Sequence, residues 1–507
     1  MPDYNSKVLL NFSDKPIDTW TIDDATKGTS IMGSTGSGKT TASGKQLAEA
    51  FLKEGWGGLV LCAKTDEAKL WKQYCKDTGR EKDLIIFGKG SKHFDGEDEG
   101  KEIVFNPIDY EMKRAGEGAG ETQNLTNIFM NIYRMGNRIA SEGDTKEERY
   151  WDTALKRCLN RVIELLKLAG EDLSYSNMVK VISSSGNVDK DKVLDIIVHL
   201  ERGDEPPELN NETNFCLKCI AKAYSNNFIG DRTVTPENLI AFDLVGDYFS
   251  QVMPSMGSRT RSVVTESFMG LAEPFLSGLL YRHFGGRTNL SPEWTYEKQK
   301  IIVLDFPIKE FLDAGIIAQS VFKLLFQQAV ERRNVEQYPT PVFLWCDEAQ
   351  YFINPYDQIF LTTARSSRTA TVFLSQNISN YFAVMGSGSD AKARVDSLMG
   401  NLCTKIFHAN SDAETNEYAS RLIGNALTQL SNSGEQHAAF ELEGTYSKGE
   451  SSQLLPQVQA REFTILKTGG SVNDLEVHGI LAVNGRQWSN KKNYLRVIFK
   501  QKFNSIN

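Results

Sequence analysis

Short apolar runs with strand character occur at both ends of the chain, and between them lies a long region with only helical spacing. Up to about residue 110, strands and helices alternate. Thr29-Ser-Ile-Met32 is a strand end, and Leu47, Ala48 and Phe51 then share one face of a helix that Gly55 stops. Gly57-Gly-Leu-Val-Leu-Cys-Ala63 is the next apolar run, and Leu84-Ile-Ile-Phe87 is another beyond a helical segment. Unalternating apolar runs separated by helices predict a parallel sheet covered on both faces.

The pattern changes at the glycine-rich stretch 114–121. From 122 to about 285 it is almost wholly helical: Leu125, Ile128, Phe129 and Ile132 share a face, as do Leu155, Leu159, Val162, Ile163 and Leu166. Arg261–Phe284 reads as one more long helix, and Gly285–Pro292 as an exit linker. Strands return at Lys300–Phe306, Val342–Cys346 and Thr371–Ser375, and Ile317, Val321, Leu324, Leu325 and Val330 mark a helix between the first two. The expected fold is α/β, with a mainly parallel central sheet interrupted by an all-α insertion domain. Its expected parts are 1–118, 119–292 and 293–507.

Candidate chemistry sits at the ends of these runs. Gly33-Ser-Thr-Gly-Ser-Gly-Lys-Thr40 fits G-x-x-x-x-G-K-[ST] without a mismatch. In such a loop Gly33, Ser34, Thr35, Gly36, Ser37 and Gly38 let backbone N–H groups wrap a phosphate, and Lys39 reaches the terminal phosphates. The Thr40 hydroxyl ligates Mg²⁺, and Thr41 continues the binding segment. The expected ligands are ATP and Mg²⁺. The apolar run Val342–Cys346 delivers Asp347 and Glu348 together, Asp347 for the metal and Glu348 to orient the attacking water. Ile301–Asp305 competes, but Phe306 and Pro307 follow it where a second carboxylate is needed. Gln376 ends the next strand, within reach of a γ-phosphate or water, and Arg365 and Arg368 precede that strand. Ala63-Lys-Thr-Asp66 is a poor match to the base-reading N-K-x-D of a GTPase.

Composition narrows the class. The chain of 507 residues has a net charge of −8, which argues against a surface coated for nucleic-acid binding, though not against DNA held by a few loops in a pore. The last stretch, Gly485–Asn507, carries six Lys/Arg and no acid, and reads as a solvated basic face. No apolar run approaches the length that spans a bilayer, and a cytoplasmic protein is expected. Seven cysteines do not suggest a disulfide framework, and Cys216 and Cys219 lack partners at zinc spacing.

Taken in order, these motifs resemble the coupling ATPases of type IV secretion, the TraG/TraD-like conjugative DNA-transfer proteins of the HerA/FtsK group. The resemblance rests on GSTGSGKT, on Tyr150-Trp151 in the helical block, and on LDFP, CDEAQYF, TARSS and FLSQNISNY. The run from Gly400 to Asp412 and the segment Tyr418–Gly424 complete it. It implies a RecA-like P-loop NTPase fold and a homo-oligomeric ring, a hexamer, that pumps DNA through sequence-tolerant backbone contacts. It also implies Gln376 as sensor and Arg365, eleven residues earlier, as an arginine acting in a neighbouring subunit, with Arg368 in reserve. Relaxase or relaxosome components and secretion-channel proteins are the implied partners. Membrane-bound relatives carry transmembrane helices ahead of the phosphate loop, whereas 32 residues precede it here. The expectation is therefore an anchorless member, peripheral at the inner membrane through a partner. A soluble motor for DNA processing, packaging or defence, and an ATPase recruiting protein effectors, remain open.

Overall fold

In a computed structural model of the chain, the described residues are 4–94, 96–137, 146–210, 214–230, 234–386, 389–436 and 445–501. The first two strands, β1 (Val8–Asn11) and β2 (Thr19–Thr21), form an antiparallel hairpin. Next come β3 (Thr29–Met32), β4 (Gly57–Leu61) and β5 (Leu84–Gly88), and, beyond the helical block, β6 (Ile301–Asp305), β7 (Val342–Cys346), β8 (Thr369–Ser375) and β9 (Thr404–Phe407). A second hairpin, β10 (Asn425–Gln436) with β11 (Thr445–Pro456), precedes β12 (Glu476–Val483) and β13 (Tyr494–Lys500).

Nine of these strands make one sheet in the order β13-β12-β9-β3-β8-β7-β4-β6-β5. From β9 to β5 every pairing is parallel, and β12 and β13 add antiparallel at one edge. β3, β4, β7 and β8 are buried at every residue, as strands covered on both faces must be. The period of two sorts their side chains. Val60, Phe343 and Trp345 face a core with Phe51, Trp56 and Trp71, whereas Leu59, Leu61, Leu344 and Cys346 face the other. Phe343 stacks on Phe51 and Trp71 with centroids 5.7 and 5.4 Å away. A Cβ at position 58 would lie 2.5 Å from the Phe343 ring, so that close approach requires Gly58.

The second core runs on without a break into the helical block. Leu125, Ile128, Phe129, Ile132, Leu155, Leu159, Val162, Ile163 and Leu166 all lie in it, on the faces the spacing marks out. One expectation needs correction. Arg261–Phe284 is not one helix: it is Ser258–Ala272, a 3₁₀ turn over Glu273–Phe275 and then Gly278–Phe284. Pro274 lacks the N–H that a continuing helix would use. Cys216 and Cys219 are buried in the helix Phe215–Phe228, and burial pushes the Cys219 thiol up to about 12.

The basic stretch near the C-terminus is solvated as expected, with Lys491, Lys492, Arg496 and Lys500 exposed. Residues 502–507 lie outside the described residues. Up to Lys500, alternation in β13 buries Tyr494, Val497 and Phe499 and turns Arg496, Ile498 and Lys500 outward. Arg486 pairs with Asp24 at 3.0 Å, and Arg496 pairs with Glu462. Two of its five described cations are thus paired within the chain.

Behind the C-terminal ends of the strands is a buried ion pair. Lys323, on the long helix Ile308–Arg332, lies 2.6 Å from Asp357 Oδ2 and donates to the Phe352 carbonyl at 2.6 Å, and neither charged side chain is exposed. Gln327 and the backbone N–H of Asn354 also donate to the Asp357 carboxylate. The cluster pins the loop between β7 and the helix Pro355–Thr363. Lys323→Met should therefore destabilise the protein by about 3–5 kcal/mol in denaturant unfolding, because it strands a carboxylate without its cation. Adding Asp357→Leu should recover much of that loss.

Candidate functional site

The phosphate loop leaves β3 and enters a helix whose first turn is wide: the Gly44 N–H donates to the Lys39 carbonyl at 2.8 Å, an i→i+5 bond. Gly36 and Gly38 hold φ of +79° and +85°, a backbone that points amides inward and that other residues adopt only with strain. A Cβ on Gly33 would lie 2.4 Å from Ser37 Oγ, a buried hydroxyl with no hydrogen-bond partner among the described residues. The segment after β9 holds the loop from outside, as Ser34 N–H donates to the Ala409 carbonyl at 2.9 Å.

His408 supports the loop from beneath. Its Nδ1–H donates to the His478 carbonyl at 2.8 Å, which leaves Nε2 to accept from Ser43 Oγ at 2.7 Å. Burial, reinforced by the charge of Lys39, brings the imidazole down from its ordinary 6.5 to about 4, against the pull of the His478 carbonyl. As pH falls from 6.5 toward 4, the unfolded chain takes up a proton that the folded chain refuses. The contribution of His408 is therefore complete above pH 6.5 and lost toward pH 4, a total of about 3 kcal/mol. Unfolding midpoints across this range should fall more steeply for the natural chain than for His408→Gln.

Three parallel strands bring the chemistry together. β8 lies between β3, which leads into Lys39 and Thr40, and β7, which leads into Asp347 and Glu348; Gln376 follows β8 directly. Thr40 Oγ1 is 3.4 Å from Asp347 Oδ2, and Lys39 Nζ is 3.9 Å from Glu348 Oε1. Gln376 Nε2 donates to Glu348 Oε1 at 3.3 Å, and Gln350 Nε2 to Oε2 at 3.0 Å. Glu348 itself is left-handed, with φ +48° and ψ +51°, which costs a non-glycine residue about 1–2 kcal/mol and turns its carboxylate back over the loop. Burial pulls that carboxyl up, but the Gln350 amide and the ammoniums of Lys39 and Lys64 outweigh it and hold it below its ordinary value. Burial also depresses Lys39, only partly offset by Asp347 and Glu348.

Most of these groups line a cavity of about 890 Å³ shared by residues 35–41, Lys64, Glu348, Gln350, Gln376 and Gln501, and Asp347 stands just behind it, 3.4 Å from Thr40 Oγ1. Its donor set suits a magnesium–triphosphate. A glycine cradle, the buried Ser37 hydroxyl and the Lys39 ammonium suit an anion, and a hydroxyl and a carboxylate within 3.4 Å of each other suit a small hard cation.

Asp305, the rival carboxylate, ends β6, which β4 separates from β7, and it does not line this cavity. Arg365 and Arg368 do not line it either. They precede β8, at the opposite end of the sheet from Gln376, and the seven residues of that strand span roughly 20 Å. Arg365 Nε donates to Asp23 at 3.0 Å with its side chain 63% exposed, while Arg368 donates to the Pro339 carbonyl at 2.8 Å. Sequence reading missed Lys64, whose Nζ lies 3.0 Å from Glu348 Oε1, and Gln501, whose Nε2 donates to Thr41 Oγ1 at 2.7 Å. Lys64 had a usable signal, since it follows an apolar parallel strand on the side where such sheets bind ligands. Gln501 had none.

The whole architecture matches solved structures. The bacterial conjugative coupling protein TrwBΔN70, in its unbound form, aligns over 99% of this chain and 89% of its own, with a TM-score of 0.55 and 13% identity. The fold is that of TrwB. TrwB with a non-hydrolysable ATP analogue aligns over 99% of this chain and 90% of its own (TM-score 0.57, 14% identity), and TrwB with ADP and Mg²⁺ over 98% and 92% (TM-score 0.57, 15% identity). Residues 341–464, which hold Asp347, Glu348, Arg365 and Gln376, match a family described as the TraM recognition site of TraD and TraG. Curated protein sequences give no match. No helix among the described residues is long and apolar enough to cross a membrane.

Proposed function

We propose that the chain is an ATP-driven DNA translocase, a coupling ATPase that recruits DNA or a relaxase–DNA complex for conjugative transfer. The observation that carries this reading is the division of a hydrolysis site between the two ends of one sheet. Lys39, Thr40, Asp347, Glu348 and Gln376 meet at one end, and the exposed Arg365 lies at the other. A site so divided is completed by a second copy of the chain, which suits a ring, and we read the ring as a hexamer.

In this reading Thr40 and Asp347 hold Mg²⁺, which neutralises phosphate charge when bound. Lys39 and the loop amides fix the phosphates. Glu348, ionised at neutral pH, orients the attacking water, and Gln376 holds both in register. The nucleotide-binding body comprises residues 1–118 and 293–507, and the all-α insertion, 119–292, faces the entry side. The match of residues 341–464 supports a relaxosome protein as partner, and TrwB bound to an ATP analogue and to ADP with Mg²⁺ supports the ligands. Secretion-channel proteins are the further partners of this reading.

The test is ATP hydrolysis with and without DNA across a salt series. A motor that grips phosphate backbone is stimulated by DNA of any sequence, and the stimulation falls steeply with salt. Turnover indifferent to DNA at every salt concentration would overturn the DNA part of the proposal and favour delivery of protein effectors.

A further inference from the structure

The acidic pair faces two ammoniums, and only Lys39 belongs to the phosphate loop. Lys64 comes from the far side, just past β4, the strand beside β7. Its Nζ is 3.0 Å from Glu348 Oε1 and 3.4 Å from Asp347 Oδ2, closer to the acids than Lys39 comes. Its side chain is 42% exposed where Lys39 is 7%, and it lines the cavity.

The consequence for Glu348 follows from counting its acceptors. Oε1 takes Lys64 at 3.0 Å and Gln376 at 3.3 Å, with Lys39 close by at 3.9 Å, and Oε2 takes Gln350 at 3.0 Å. A carboxylate held this way by amides and ammoniums has little left to offer a water molecule.

Building on the nucleotide-hydrolysis reading above, we propose that Lys64 is a positioning residue that reads the terminal phosphate of the nucleotide. Without a triphosphate it stays on Glu348 and keeps that carboxylate occupied. A γ-phosphate, with more charge than a carboxylate and nearer the mouth of the cavity, draws the flexible Lys64 ammonium to itself and releases Glu348 Oε1 toward water. A diphosphate ends one phosphate short and leaves Lys64 where it is. Lys64 thus separates triphosphate from diphosphate and ties the readiness of Glu348 to what is bound, a duty Lys39, buried against the loop, does not duplicate.

The experiment measures the affinity of the full chain for Mg²⁺–AMP-PNP and Mg²⁺–ADP by calorimetry, for the natural protein, Lys64→Ala and Lys64→Arg. Charge-assisted bonds of this kind are worth about tenfold or more in affinity. Lys64→Ala should therefore lower the preference for AMP-PNP over ADP by about tenfold or more, and Lys64→Arg should largely restore it. A loss shared equally by the two nucleotides would mark Lys64 as a general counter-charge and overturn the proposal, as would an unchanged or increased preference. A natural protein that binds neither nucleotide would remove the nucleotide reading itself, a result distinct from either.

Discussion

Arg365→Ala is expected to leave ATP binding intact and to lower turnover by about 10³–10⁵-fold, the range an arginine supplied to a phosphoryl-transfer site contributes. The size follows from where the residue lies. In its own chain Arg365 is separated from Gln376 by the length of β8 and makes one ion pair, with Asp23, at an exposed position. Such a pair is worth about 0–1 kcal/mol, so it gives up little when the guanidinium turns to a neighbouring γ-phosphate. Removing the side chain should accordingly cost almost nothing in stability and almost everything in rate. Arg368 is the internal control. It is tied to the Pro339 carbonyl at a left-handed backbone position, φ +49°, and Arg368→Ala should lower the melting temperature more than it lowers turnover. Loss of ATP affinity in Arg365→Ala, or turnover near that of the natural protein, would contradict the assignment.

Glu348→Gln should bind ATP and turn over about 10²–10⁴-fold more slowly, the contribution usual for a positioned base. The amide keeps the shape of the side chain, and its oxygen can accept from one of the two donors, Gln350 or Gln376, so the variant removes charge and one acceptor while leaving the packing in place. Because Glu348 is held below the ordinary carboxyl range, it is ionised throughout neutral pH, and the rate should not decline between pH 8 and pH 6 through this residue. Asp305→Asn, two strands away from β7, should hydrolyse ATP at nearly the natural rate. The reverse outcome, full activity in Glu348→Gln and none in Asp305→Asn, would move the acidic motif to β6.

The parts legible in the sequence are those where local pattern and chemistry coincide. GSTGSGKT needs its glycines for backbone reasons that hold wherever the loop occurs, and VFLWCDE needs five apolar residues because β7 is buried on both faces. The helical faces of 122–137 and 146–169 are equally plain, since burial of one stripe is what amphipathic spacing encodes. What the pattern hides is association between distant segments. β12 and β13 have mixed sequences, and they join the sheet only through the pairing of β12 with β9, far back in the chain. Lys64 and Gln501 join the site only because β4 and the end of β13 are carried there by the sheet order. Lys323 resisted reading for the opposite reason: a lysine on the apolar face of a helix looks like a breach of pattern until Asp357 is placed beside it.

Mixing two inactive variants tests the central claim most directly, that each triphosphate is cut between two copies of the chain. Glu348→Gln lacks the base but carries Arg365, and Arg365→Ala carries the base but lacks the arginine. Combined in equal amounts under assembling conditions, they should regain a measurable fraction of natural ATP turnover, because some contacts then pair an intact Glu348 with an intact Arg365. Turnover of the mixture no higher than that of either variant alone, with assembly verified, would contradict the account.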